Sequence, residues 1–155
     1  MNDSFQKYYD RYPAELSLLL EVLREDKHFR INEQLKKNQI NEEYLLQLIT
    51  RHKVIGYLYK NLSPHLSSPT RSVLSNNYKE HTKHTLSYVR RLILTSQKLD
   101  KHQIPYLAFK GPVLSEMLYG DALVKDSLDI DLWVPLEYVE KCQQILYDEG
   151  FIRIL

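Results

Sequence analysis

Two aspartates one residue apart, Asp129 and Asp131, stand in the string Leu128-Asp129-Ile130-Asp131-Leu132-Trp133-Val134-Pro135. The apolar residues around them predict a β-strand over 128–134, in which alternate side chains share a face. Asp129 and Asp131 then point one way with Trp133, which suits the side of a nucleobase pocket, while Ile130 and Leu132 turn toward a core. Two carboxylates this close repel each other, and a divalent cation turns the repulsion into coordination. Magnesium suits them because it takes hard oxygen ligands in an octahedral shell and can also hold the oxygens of a nucleoside triphosphate. Such a centre brings an acceptor hydroxyl toward an α-phosphorus and neutralises charge on the group in transit. By spacing alone, an Asp-x-Asp pair is more often a surface or structural feature than a catalytic one.

Its surroundings add cations. Lys110-Gly111 lies where a strand gives way to a helix, and helix N-termini favour anions. Gly111 allows close backbone approach, and Lys110 can screen β- or γ-phosphate charge; a plain turn and a solvated lysine are the alternatives. Asp121, Lys125 and Asp126 occupy the loop before Asp129, where Lys125 can offset the carboxylates or touch phosphate. Taken singly, each of these three fits a loop surface.

These residues need a scaffold. Ile104–Phe109 predicts a short strand beginning near Pro105, and Pro112 suits the first turn of a helix over 113–119. Gly120-Asp121 stops that helix. Leu136–Tyr147 predicts another helix, Gly150 its end, and Phe151–Leu155 a further strand. Upstream, apolar periodicity predicts helices over 14–23, 42–59 and 71–101, with the charged interval 24–30 after the first, a proline-containing loop at 61–69 and a bend or break near 82–85 in the last. The expected fold is α+β, with a helical N-terminal region, 1–102, and a partial core, 103–155, forming one unit.

With 43% hydrophobic and 26% charged residues, four glycines and six prolines, the 155-residue chain reads as a globular protein. A formal charge of +1 gives no general attraction to nucleic acid and disfavours it as a partner. The single cysteine, Cys142, excludes an intrachain disulfide framework and multi-cysteine zinc sites, and its helical setting favours a core thiol. The absence of a signal-like or membrane-length apolar run points to a cytoplasmic protein without a membrane partner. His81 and His84 have helical spacing, but that alone favours packing over a metal pair. The 12 tyrosines are spread over several helical faces, which favours packing and interfaces.

The string from Phe109-Lys110-Gly111-Pro112 through Tyr119-Gly120-Asp121 and Lys125 to Asp129-Ile130-Asp131-Leu132-Trp133-Val134-Pro135 closely resembles the uncharacterised nucleotidyltransferase family of the DNA-polymerase-beta-like superfamily. In that family a Lys-Gly junction and a Tyr-Gly-Asp stretch precede an arginine and an Asp-Ile-Asp strand. Lys125 stands where arginine is usual, keeping the charge without the bidentate geometry. Arg51–Tyr59 resembles the family's N-terminal helical region, so the likeness extends over nearly the whole chain. It implies an incomplete nucleotidyltransferase-type mixed sheet with flanking helices, Asp129 and Asp131 as catalytic metal carboxylates, and Lys110, Gly111 and Lys125 on the nucleotide side. Mg2+ is the implied cofactor and a nucleoside triphosphate the substrate, its nucleoside monophosphate passing to an unidentified small-molecule or protein hydroxyl acceptor.

Two departures qualify that implication. The superfamily commonly has Gly-Ser or Gly-Gly at the turn, whereas Gly111-Pro112 lacks a hydroxyl and one backbone donor. A third carboxylate is usual on a later strand, but only Glu137, Glu140, Asp148 and Glu149 follow the pair, all in or at the end of a predicted helix. The expectation is therefore a nucleotidyltransferase or its N-terminal fragment, with a catalytically incomplete nucleotide-binding or protein-interaction module as the alternative. A hydrophobic edge at Phe151–Leu155 would invite pairing with a second copy.

Overall fold

Asn41 begins a helix by capping it: its Oδ1 accepts the Tyr44 N–H at 3.0 Å. In this computed structural model, which describes residues 12–23, 31, 35 and 39–152, the helix so started is α2, Glu42–His52, preceded by α1, Ala14–Val22. Glu42 and Glu43 in its first turn and Arg51 and His52 in its last complement the helix dipole. The chain then turns at Lys53, which adopts the left-handed conformation at φ 53°. The Val54 N–H reaches back to the Ile49 carbonyl at 3.3 Å and the Lys53 N–H to that of Thr50 at 3.2 Å. This six-to-one closure ends α2 and frees the chain to start α3, Ile55–Leu62. The single helix expected over 42–59 is thus two helices, split at a lysine where neither glycine nor proline announces a break.

The chain divides into two compact units, Met1–Thr82 and Lys83–Leu155. In the first, Leu18, Leu45, Ile49, Leu58, Leu62 and Leu74 are all less than 2% exposed and form one apolar core. Polar ties fasten its edges. Glu15 accepts the Asn41 N–H at 2.7 Å, and Tyr59 stacks on Tyr78 with ring centroids 4.1 Å apart. Arg71 donates to the carbonyls of Ser63, Pro64 and Leu66, each at 3.0 Å, closing the 3-10 turn Ser63–His65.

Helix α4 runs without interruption over Ser68–Lys101. The break considered near 82–85 does not occur, because no residue there removes a backbone donor or forces a positive φ. Leu99 near its end belongs to the second unit's core with Ile104, Cys142 and Ile145, against which Tyr106, Leu132 and Val134 pack. Burial pushes the Cys142 thiol above its ordinary range, making it a poor nucleophile. The α4 terminus repeats the device seen at Lys53: Gln103 has φ 54°, and the Ile104 N–H closes onto the Leu99 carbonyl at 3.0 Å.

The sheet is an antiparallel pair, β1 Leu107–Phe109 and β2 Asp131–Trp133, with α5, Gly111–Tyr119, between them in sequence and α6, Val139–Asp148, after them. The register sets Leu107 against Trp133, Ala108 against Leu132 and Phe109 against Asp131. Continued outward, it would set Pro105 against Pro135, neither of which has an N–H to give. At the other end Lys110 leaves the extended conformation. Both strands are therefore shorter than the predicted 104–109 and 128–134. The described residues give an α+β fold with a helical N-terminal region, as expected. Phe151 and Ile152 are not in a strand, and Arg153, Ile154 and Leu155 lie outside the described residues, as do 24–30.

Ahead of α4, Glu42 accepts from the Ser67 N–H at 2.9 Å, from the Ser67 hydroxyl and from the Thr70 hydroxyl at 2.5 Å. Desolvation raises its pKa, but these hydrogen bonds together outweigh it and hold the carboxyl below its ordinary value. A lowered folded-state pKa gives stability that is present above the unfolded-state pKa of about 4.3 and lost as pH falls through the folded value. Glu42→Gln should lower the urea midpoint at neutral pH and flatten its fall below about pH 4.3. Parallel acid profiles for both proteins would show that this carboxylate does not carry the dependence.

Candidate functional site

The residues predicted around the Asp pair lie where β1 passes into α5 and the loop before β2 comes close to it. Lys110 takes φ 62° and ψ −161° and Gly111 takes φ 45°. The Lys110 values fall in a region populated almost solely by glycine, and holding a side-chain-bearing residue there costs on the order of 1–3 kcal/mol. Strain of this kind persists where the surroundings over-determine it, often at sites that bind or react. Its effect here is directional. Having left the strand, the Lys110 side chain reaches Asp131 across the ribbon, Nζ to Oδ1 3.4 Å, and its Nζ stands 5.3 Å from the Phe109 ring centroid.

Asp131 opens β2 and is half-buried. Asp129 lies in a bend before the strand and is exposed. This corrects the expectation that one strand carries both aspartates: with Lys110 and Gly111 turned away from β1, the ladder has no partner beyond Asp131. The Asp129 backbone still passes close to the turn, since a Cβ placed on Gly111 would lie 3.8 Å from its carbonyl oxygen. Strand alternation puts Asp131 and Trp133 on one face and Leu132 on the core side, with Phe109 and Leu107 opposite the first two. Trp133, Phe109 and Leu107 are all exposed, so an apolar and aromatic surface adjoins Asp131.

Lys125 is exposed and is fixed through its backbone, its N–H donating to Ser115 Oγ at 3.0 Å. The same Ser115 hydroxyl donates to the Asp121 carbonyl at 2.8 Å, and the Asp121 carboxylate accepts the Leu123 N–H at 2.9 Å. Ser115, fully buried on α5, thus clamps the loop that carries Lys125. Sequence reading did not single it out, because a helical serine has no signature until its partners are known. Asp126 faces His84, Oδ1 to Nδ1 3.6 Å, and the His84 ring lies against Tyr88 with centroids 5.0 Å apart. His84 therefore meets a carboxylate and a tyrosine, consistent with packing as its role.

The two aspartates offer hard oxygens of the kind magnesium accepts. Among the described residues, no three His, Cys, Asp or Glu side chains are grouped to hold a metal ion. A cation held here by Asp129 and Asp131 would complete its shell with substrate oxygens and water.

A model of the uncharacterised nucleotidyltransferase family matches residues 38–154. The chain belongs to this family. Membership supports a general role in nucleotidyl transfer, and the match takes in α2 through α6 as well as the turn and the Asp pair. No curated protein and no solved structure shows significant similarity to the chain. No described helix is long and apolar enough to cross a membrane.

The turn tolerates little change at Gly111. Besides its positive φ, an added Cβ would stand 3.3 Å from Ser127 Oγ. Gly111→Ala should destabilise the fold by about 1–2 kcal/mol and lower the thermal midpoint by several degrees. An unchanged midpoint would contradict the left-handed geometry assigned to the turn.

Proposed function

We propose that the chain binds a magnesium-complexed nucleoside triphosphate and transfers its nucleoside monophosphate to a hydroxyl acceptor, releasing pyrophosphate. Asp129 and Asp131 hold the cation, Lys110 and the Gly111 turn receive β- and γ-phosphate oxygens, and Lys125 adds positive charge from the loop. The Lys110–Asp131 contact carries this reading, since it joins the phosphate-side turn to the metal-side strand in a chain of this family. Trp133 and Phe109 offer exposed rings beside Asp131, suited to stacking with a base. Magnesium, when bound, supplies Lewis acidity and orientation to the in-line displacement. The protein's own groups position the triphosphate and neutralise its charge. The acceptor is a small molecule or a protein, and the cytoplasm is the compartment proposed for the reaction.

One observation favours a second reading, binding without transfer. Of the carboxylates that follow the Asp pair, Glu149 pairs with Lys98 and Asp148 accepts from Gln144 at 3.0 Å, so both are engaged elsewhere. Mass analysis after incubation with magnesium, nucleoside triphosphates and candidate acceptors separates the two, because only transfer leaves a nucleotidylated product. For binding itself, Asp129→Asn/Asp131→Asn should abolish magnesium-dependent nucleotide affinity in a calorimetric titration. Equal affinity in the double variant would remove these aspartates from the site.

A further inference from the structure

The N-terminus of α5 is poorly supplied with internal partners. Lys110 makes no side-chain cap, Pro112 has no N–H, and the Leu114 N–H already donates to the Lys110 carbonyl at 3.0 Å. Gly111 and Val113 are left as the first-turn donors without an intrahelical acceptor. An independent feature lies against this end. Ser127 is 3% exposed, and its hydroxyl has no hydrogen-bond partner among the described residues. A buried hydroxyl left unpaired is destabilising, and such a group calls for a reason. Its Oγ stands 3.3 Å from where a Gly111 Cβ would be, so it faces the start of α5 across a gap that only glycine leaves.

We propose that Ser127 is a phosphate-binding residue, donating its hydroxyl to an oxygen of a polyphosphate held at the N-terminus of α5. This rests on the nucleotide-binding reading and adds to it a group from a different segment. The turn's second residue, Pro112, can donate nothing, and Ser127 supplies from the opposite loop the neutral donor missing there. Lys110 brings charge to the same turn, while Ser127 brings a directional hydrogen bond. Ser127 is shielded, and a small opening of the Gly111 turn would bring it to the phosphate. The unpaired hydroxyl is thus a cost of the free state that the bound state removes.

The test is calorimetric titration of the full chain with magnesium and inorganic tripolyphosphate, and with magnesium and non-hydrolysable nucleoside triphosphates. Thermal midpoints are measured alongside. Ser127→Ala should weaken both ligands about tenfold or more, the scale of a hydrogen bond to a charged group, while its ligand-free midpoint stays level or rises. Ser127→Cys, close in size but a poor donor, should lose affinity likewise. Wild-type binding with undiminished affinity in Ser127→Ala would overturn the Ser127 contact and leave the nucleotide site standing. A fall in affinity accompanied by a lowered ligand-free midpoint in both variants would assign Ser127 a structural role and also overturn it. A wild-type chain that binds neither ligand would overturn the nucleotide-binding reading together with this one.

Discussion

The left-handed turn at Lys110 and Gly111 fixes most of what surrounds it. By leaving the extended conformation at φ 62°, Lys110 ends β1 and limits the ladder to three residue pairs. By the same rotation it starts α5 and directs its ammonium toward Asp131. Gly111 then lets the loop around Ser127 and Asp129 pass close against the helix start, where any Cβ would crowd the Ser127 hydroxyl. Strand length, helix start and carboxylate environment are therefore consequences of two consecutive backbone conformations. Ser115 reinforces them from the far side, because its buried hydroxyl holds the loop that must bring Asp129 back to the turn.

The two units are stabilised differently. Buried leucines and isoleucines, among them Leu18, Ile49, Leu58 and Leu74 from α1 to α4, fill the first core, and apolar burial of this kind contributes about 25 cal/mol per Å². The second core is smaller, with Leu99, Ile104, Cys142 and Ile145 buried and several aromatic and aliphatic side chains only partly covered. A small core is compatible with a turn that, under the proposed reading, opens when it binds. The strain at Lys110 and the unpaired Ser127 hydroxyl both lie in this second unit, where stability is traded for function under the proposed reading.

Much of this was legible in the sequence, for identifiable reasons. Apolar periodicity located the helices, Pro112 marked the start of α5, and the Lys-Gly and Asp-x-Asp strings together carried the family likeness. The split between α2 and α3 was not legible, because Lys53 ends a helix by a hydrogen-bond closure that glycine would have advertised and lysine does not. Gln103 hides the end of α4 in the same way. The shared strand expected for Asp129 and Asp131 failed for another reason. Strand extent depends on the partner, and the partner is cut short at Lys110. Ser115 and Ser127 escaped notice because serine is common, and only burial and neighbours distinguish these two.

The Lys110–Asp131 contact also bears on how the proposed site would change when filled. Without a cation, a half-buried carboxylate gains from a nearby ammonium, and Lys110 provides it at 3.4 Å. A divalent ion held at Asp131 would supply that compensation more strongly and would repel the ammonium. A polyphosphate arriving with the ion offers Lys110 a new and more highly charged partner beside the same turn. The Lys110–Asp131 ion pair would then be exchanged for two interactions, metal with carboxylate and lysine with phosphate, without leaving either charge unpaired. Under the proposed reading such an exchange would couple the two ligands: metal binding would free the lysine that the phosphates need, and phosphate binding would remove the lysine that competes for Asp131.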